Sequence, residues 1–456
     1  MKKIKIQFLG ASETVTGSKF YLETPELNIM IDCGMFQGLK ELRTINWEPL
    51  PIDTSKIDAV LLTHGHLDHT GYLPRLVKEG FRGKIMATEP TLAITRIILL
   101  DSAKIQEEQA KKANEEGYSK HTPALPFYSI KEAEDTIKLF AGCKKNGWNQ
   151  LSKNIKCRYR PNGHIIGSTF IELELFGKLF VFSGDVGRIN DKLLAPPERP
   201  KWADYLFLES TYGNKLHPEE DVAEILSSLI KKTIHNRGAL IIPSFAVERL
   251  QLLMLILWEL YKKNKIPNIP IFIDSPMGNN VLSVFKQFPD WHKLSTTEFD
   301  TMTNHATIIT SYADTWKTID DPRPKIVIAG SGMVTGGRVL TYIKQLIDEP
   351  STNVLLVGYQ AEGTRGRQLL EGAHELKIFG KYIPVKAGIH RIESLSAHAD
   401  QAGLLDWISA IENVPENVFL IHGEPSALDA FKVKIGDSKG WNCHIPKRNE
   451  IFEIII

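Results

Sequence analysis

Four side chains able to bind a metal fall within six residues, His64-Gly65-His66-Leu67-Asp68-His69, immediately after the apolar run Ala59-Val60-Leu61-Leu62. One loop cannot supply every ligand of a two-metal centre, so this feature points to a fold whose strand ends gather donors at one place. Imidazole nitrogens with carboxylate oxygens suit zinc-like ions, and a catalytic site keeps one coordination position open for water. Only 14 histidines occur in 456 residues, so three within six positions fit poorly with a surface loop that happens to be histidine-rich.

Other strand ends carry further donors. His164 lies in Asn162-Gly163-His164-Ile165-Ile166-Gly167-Ser168, before the strand-like run Phe170 to Leu175, and the flanking glycines let backbone approach a metal. Asp185 lies in Ser183-Gly184-Asp185-Val186-Gly187 after Leu179 to Phe182, and its two oxygens could bridge two cations. His422 follows Val418 to Ile421 in His422-Gly423-Glu424. Taken singly, each has an ordinary alternative, such as an aspartate capping a turn.

Short alternating or apolar runs predict strands at Lys3 to Phe8, Phe20 to Leu22, Asn28 to Ile31, Asp58 to Leu62 and Lys84 to Ala87. A helix is predicted over about Thr91 to Glu116, with strands again at Ile155 to Arg160, Phe170 to Leu175, Lys178 to Phe182 and Tyr205 to Leu208. After about residue 210 the runs Ala239 to Ile242, Ile269 to Ile273, Lys325 to Ala329 and Val354 to Val357 alternate with helical stretches, which predicts a parallel sheet. Val247, Leu250, Met254, Leu257 and Tyr261 mark one helix with its buried stripe. Histidine-bearing motifs resume near Ala387, so 210–390 is expected as an insertion into a domain built from 1–209 and 391–456.

A hydrophobic content of 43% supports sizeable cores. Lys+Arg 55 against Asp+Glu 54 leaves a net charge of +1, so a nucleic-acid partner would need a local basic surface. Cys33, Cys143, Cys157 and Cys443 are scattered without a CxxC pair, which argues against a thiolate zinc site and a disulfide framework and fits a cytoplasmic setting. Met1-Lys2-Lys3 leads into a first strand rather than a signal segment. The longest apolar stretch, Leu250 to Leu257, is too short to cross a bilayer, so no membrane partner is expected. Gly330-Ser331-Gly332 follows a strand, but it opens GxGxxxGG rather than the dinucleotide fingerprint GxGxxG.

The order HxHxDH, then His, then Asp, then His resembles the metallo-β-lactamase superfamily, whose α/β fold is an αββα sandwich carrying two zinc ions. Asp32 in Ile31-Asp32-Cys33-Gly34 is similar to that superfamily's first motif, an acid that orients a metal-bound histidine from behind. Leu208 to Gly213, Ser394 to Asp400 and Ile421 to Glu424 resemble motifs A, B and C of the β-CASP nucleases within it. Pro243 to Arg249, Asp274 to Gly278 and Ser331 to Arg338 resemble further segments of that family. The pattern is similar to the endonuclease subunit of the eukaryotic mRNA 3′-end cleavage machinery and its short prokaryotic relatives. The insertion would then be a β-CASP α/β domain with a parallel sheet.

The resemblance implies that His64, His66 and His164 hold one zinc, that Asp68, His69 and His422 hold the other, and that Asp185 bridges them. It also implies a bridging hydroxide as nucleophile. His398, paired with Glu209, would protonate the departing 3′ oxygen, and Asp32 and Asp68 complete the catalytic set. Family members acting on RNA carry a histidine in motif C where DNA-cleaving relatives usually have an aliphatic residue, so His422 favours single-stranded RNA. The inserted domain would close over the first, and Ser331, Arg338, Arg365 and Arg367 are the candidates for substrate binding. Glycine-freed amides in Glu362 to Arg367 could also cradle an anion.

Tyr359 and Ser394 stand where bacterial ribonuclease J has a serine and a histidine associated with gripping a 5′-monophosphate. Endonuclease action, with room for 5′-to-3′ exonuclease action, is therefore expected. RNA-binding domains before the core and a C-terminal extension are expected to be absent, and a homodimer remains open. The rival readings are a single-strand DNA nuclease, a small-thioester hydrolase, or an inert binding partner that should have lost ligands.

Overall fold

The computed structural model describes residues 2–117, 119 and 121–456. The chain forms two compact units, 1–216 with 398–456, and 217–397. Each junction lies a few residues further along the chain than the expected 209/210 and 390/391. Ser210 N–H bonds the His422 carbonyl and Gln401 bonds Gly213 O, which ties 210–216 to the first unit. Glu393 and Ser394 N–H groups bond Glu220 within the second.

Two seven-stranded sheets build the first unit. One runs Ile451–Ile455, Lys3–Phe8, Phe20–Glu23, Asn28–Ile31, Ala59–Leu61, Lys84–Thr88, Phe140–Cys143; the other runs Cys443–His444, Asn417–Ile421, Tyr205–Glu209, Lys178–Phe182, Thr169–Leu175, Ile155–Pro161, Trp148–Ser152. Their facing sides share one core that takes Ile29, Ile31 and Leu61 from the first sheet and Phe180, Phe182, Phe207, Phe419 and Ile421 from the second. The intervening residues point the other way, as the two-residue period of a strand requires. Met30, Val60 and Leu62 pack with Tyr72, Leu76, Leu99 and Ala133 of the helical layer, while Val181, Leu206, Leu208, Val418 and Leu420 pack with Leu404, Trp407, Leu428 and Phe431. Strands covered on both faces read as unbroken apolar runs, and the result is an αββα sandwich. Phe207 stacks on Phe182 at 4.1 Å and on Phe419 at 4.8 Å, at its centre.

Register sets where the functional loops fall. Lys178–Phe182, Tyr205–Glu209 and Asn417–Ile421 are mutually parallel, with Phe182 opposite Phe207 and Glu209 opposite Ile421. Residues following these strands therefore emerge at one edge. In the other sheet Asn28–Ile31 runs parallel to Ala59–Leu61 with Ile31 opposite Leu61, so Asp32 and the hexad leave side by side.

The second unit holds a six-stranded sheet, Thr307–Ile308, Ile271–Asp274, Lys325–Ala329, Ala239–Pro243, Asn353–Val357, Gly388–Ile392, parallel throughout as the strand–helix alternation predicts. The expected stripe on Arg249–Lys262 needs correction at both ends. Val247 precedes the helix, and Tyr261 is 38% exposed and stacks on His305. Residues 249–258 are all buried, so this helix lies inside the unit on most of its circumference and a single stripe understates its burial. No described helix is long and apolar enough to cross a membrane.

Candidate metal centre

The hexad starts three residues beyond the end of Ala59–Leu61, and its second half lies in the short helix Leu67–Thr70. Gly34 permits the loop after Asn28–Ile31 to lie against it, because a Cβ there would sit 1.5 Å from the Asp68 carbonyl oxygen. The glycines around His164 allow backbone to approach backbone. Gly163 and Gly167 have φ of +69° and +85°, a Cβ on Gly167 would meet Thr91 N at 2.5 Å, and one on Gly187 would meet the Gly163 carbonyl at 2.0 Å.

The predicted ligands converge in two groups. His64, His66, His164 and Asp185 bring one donor atom each within 4.8 Å of one another, as do Asp68, His69 and His422. His66 Nδ1 lies 3.1 Å from His64 Nε2 and 3.2 Å from His164 Nε2, while Asp185 Oδ2 lies 3.4 and 3.5 Å from the same two Nε2 atoms. In the second group His69 Nε2 and His422 Nε2 are 3.2 Å apart, and Asp68 Oδ2 is 3.8 and 3.4 Å from them. Asp185 Oδ1 faces this group, 3.3 Å from His69 Nε2. Four ligands at tetrahedral bonds of ~2.0–2.1 Å are separated by ~3.3–3.4 Å, so these spacings fit a zinc-sized ion in each group. The two oxygens of Asp185 turn to different groups.

Neighbouring side chains decide which ring nitrogen faces inward. Asp32, with φ +55°, accepts from Thr63 N at 2.7 Å, Thr63 Oγ1 at 2.8 Å and His69 Nδ1 at 2.7 Å. The Thr63 hydroxyl, donating to Asp32, accepts from His64 Nδ1 at 3.1 Å. His422 Nδ1 meets Thr211 Oγ1 at 3.1 Å. In all three rings Nε2 is turned towards the cluster, an orientation that outer partners of metal-binding histidines impose.

Burial holds His64 and His164 well below the usual histidine range and lowers His66 to about 4, which keeps these imidazoles neutral and able to ligate. Burial alone would raise Asp185, but the surrounding imidazoles, His422 and His69 foremost, hold it well below the usual carboxylate range. Asp68 is likewise opposed by burial and brought down to about 2 by His422 and His69. Burial disfavours a charged His69, yet Asp185 and Asp32 push it well above the usual range.

His398 stands beside these groups. Gly187 bridges it and Ala399 N–H bonds the Val186 carbonyl, so the Asp185 loop itself positions it. Its Nδ1 lies 3.2 Å from Glu209 Oε1 and its Nε2 3.9 Å from Asp185 Oδ2. Glu209 is fully buried and also accepts from Val186 N and Thr211 N. Burial works against a charged His398, but Glu209 outweighs it and raises the ring to about 9.

The remaining candidates lie in the second unit, each with partners there. Arg338 donates to Thr315 Oγ1 at 2.7 Å and covers the Tyr312 ring at 4.3 Å. Arg365 donates to Lys377 O and Val334 O, Arg367 pairs with Glu371 at 2.6 Å, and Ser331 Oγ accepts from Thr335 N and Gly336 N. In the proposed anion cradle, the N–H groups of Thr364, Gly366 and Arg367 are already bonded. Thr63 and Thr211 were not singled out from sequence. A threonine between a buried strand and a ligand loop was the available signal for Thr63, and position two after Glu209 for Thr211.

The sandwich and its converging imidazole and carboxylate donors define a metal-dependent hydrolase of the metallo-β-lactamase class. Residues 15–136 match the metallo-beta-lactamase superfamily, 250–369 the Beta-Casp domain, and 382–446 the Zn-dependent metallo-hydrolase RNA specificity domain. Ribonuclease TTHA0252 of Thermus thermophilus is 32% identical over 432 residues, covering 93% of this chain and 94% of that protein. An RNase J-like protein of Methanocaldococcus jannaschii is 30% identical over 99% of this chain and all of that one. The transcription termination factor FttA of the same organism is 29% identical over 93% of this chain and 67% of its own length. A crystal structure of a protein of unknown function from Enterococcus faecalis shares the fold, with a TM-score of 0.56, 14% identity and coverage of 99% of this chain and 100% of that one. The chain belongs to the β-CASP family of the metallo-β-lactamase superfamily.

Proposed function

We propose that this chain is a zinc-dependent ribonuclease that hydrolyses phosphodiesters in single-stranded RNA, mainly endonucleolytically. The observation that carries this is the pair of donor groups sharing Asp185, with His398 and Glu209 alongside. His64, His66, His164 and Asp185 Oδ2 would hold one zinc; Asp68, His69, His422 and Asp185 Oδ1 would hold the other. Bound there, the ions would supply Lewis-acid polarisation and a nucleophile at neutral pH. Asp68 and Asp185 are the anionic donors in this set, so two dications leave a net positive centre suited to an anionic ester.

The rest falls to the chain itself. Asp32 and Thr63 hold His69 and His64 in the ligating orientation. Glu209 accepts a hydrogen bond from His398 Nδ1–H, which leaves Nε2 pointing into the centre, and the Nε2–H is the acid for the departing 3′ oxygen. RNA as substrate is supported by the named activities of the relatives and by the RNA specificity match over 382–446. Tyr359 and Ser394 favour cleavage within the strand over capture of a phosphorylated 5′ end. Every proposed ligand comes from one chain, so the chemistry does not call for the homodimer.

Internally and 5′-labelled single-stranded RNA and DNA, incubated with purified protein with and without a strong chelator, test this. Internal RNA fragments that vanish with chelator are expected. Cleavage of DNA with RNA intact would overturn the substrate, and protein with two bound zincs but inert on several RNAs would overturn the reading.

A further inference from the structure

In the second unit Glu375–Ile378 and Lys381–Pro384 form a tight hairpin closed by the pair Ile378 and Lys381. Its two turn residues, Phe379 and Gly380, have φ of 48° and 80°. Such turns favour Asn or Asp before Gly, because a bulky L side chain is strained in the left-handed region. Phe379 occupies that position with 59% of its surface exposed. Neither the turn nor burial explains a phenyl ring there.

Tyr382 is 61% exposed, and it lies directly opposite Lys377. Leu376 and Ile378 point into the core and anchor the hairpin, while Glu375, Lys377, Tyr382 and Pro384 form its exposed face. A lysine attends each ring: Lys344 Nζ lies 5.8 Å from the Phe379 centroid and Lys377 Nζ 5.4 Å from that of Tyr382. Arg365, bonded to Lys377 O, ties the hairpin to the helix Arg365–Leu370. A chain of net charge +1 needs local basic surface to hold a nucleic acid, and here that surface is interleaved with exposed rings.

We infer that this hairpin is a binding platform for single-stranded RNA, with bases stacked on Phe379 and Tyr382 and phosphates met by Lys344 and Lys377. Unpaired bases offer the flat faces that such rings take up, whereas a duplex hides them. The platform rests on the ribonuclease reading above and adds where the strand is gripped.

The test is the double variant Phe379→Asn with Tyr382→Thr. Asn suits the left-handed turn and Thr suits a strand, so folding is preserved while both rings are lost. On unstructured RNA of ~24 nucleotides KM is expected to rise about tenfold or more, with kcat within about twofold. Hydrolysis of bis(p-nitrophenyl) phosphate, a lone diester without nucleobases or a phosphate strand, should be unchanged. A KM on the long RNA equal to that of the unaltered protein overturns the platform and leaves the ribonuclease standing. Equal loss on both substrates also overturns it, as general damage. Unaltered protein that hydrolyses the small ester but neither binds nor cleaves RNA overturns both.

Discussion

Asp32→Asn should weaken one of two zinc affinities and spare the other. The buried carboxylate meets three donors: Oδ1 accepts from Thr63 N, and Oδ2 accepts from Thr63 Oγ1 and His69 Nδ1. An amide keeps one acceptor oxygen. With that oxygen in the Oδ1 place, the NH2 group opposes His69 Nδ1–H; in the Oδ2 place, it opposes Thr63 N–H. Either way at least one hydrogen bond to a charged acceptor is lost, ~1.5–3 kcal/mol. In the first orientation, which keeps the Thr63 N–H bond, His69 relieves the clash by moving its proton to Nε2, which removes its lone pair from the Asp68, His69 and His422 group. At 1.4 kcal/mol per decade this predicts a drop of ~10- to 150-fold in zinc affinity at that group, in line with the ~10- to 100-fold cost of removing outer partners of metal ligands. His64 feels the change only through the Thr63 hydroxyl, which can rotate. Zinc titration against a chromophoric chelator reads both affinities, with circular dichroism confirming the fold. Two unchanged affinities, or two that fall equally, would refute the reasoning.

His398→Ala should lower kcat on RNA by ~10²- to 10⁴-fold with zinc content unchanged, as loss of a general acid requires; a variant retaining full activity would exclude His398 from that role. Phe207→Ala removes the ring stacked between Phe182 and Phe419 and should cost ~3–5 kcal/mol in urea unfolding. Burial lowers Lys19 to about 8 from 10.5, so between these values the unfolded chain binds more protons and stability must rise with pH. That gain, ~3 kcal/mol from about 2.5 pH units at 1.36 kcal/mol each, should be missing in Lys19→Met when the two proteins are compared by chemical denaturation at pH 7.5 and ~10.5. Parallel curves would show that Lys19 keeps an ordinary pKa.

The interior strands were readable because each is covered on both faces: Asn28–Ile31 and Tyr205–Glu209 are apolar in every direction they point, except where Asn28 and Glu209 end them. Phe140–Cys143, Trp148–Ser152 and Ile451–Ile455 escaped, since they lie at sheet edges with mixed exposure, and the pairing of Ile451–Ile455 with Lys3–Phe8 joins opposite ends of the chain. The partners of Arg338 and Arg365, Thr315 and Lys377 O, are not displayed by the sequence, whereas Glu371 stands one helical turn from Arg367.

The sequence by itself determined the chemistry of the centre: with the cysteines scattered, the clustered donors for a zinc-like ion are His and Asp, and those residue types are visible wherever they stand. Tertiary structure alone decided that they meet. Parallel alignment of Lys178–Phe182, Tyr205–Glu209 and Asn417–Ile421 delivers Asp185, Glu209 and His422 to one edge, and Asp32 reaches Thr63 and His69 because Asn28–Ile31 lies beside Ala59–Leu61. Which strand neighbours which depends on hydrogen bonding and burial across hundreds of residues, and no local pattern encodes it.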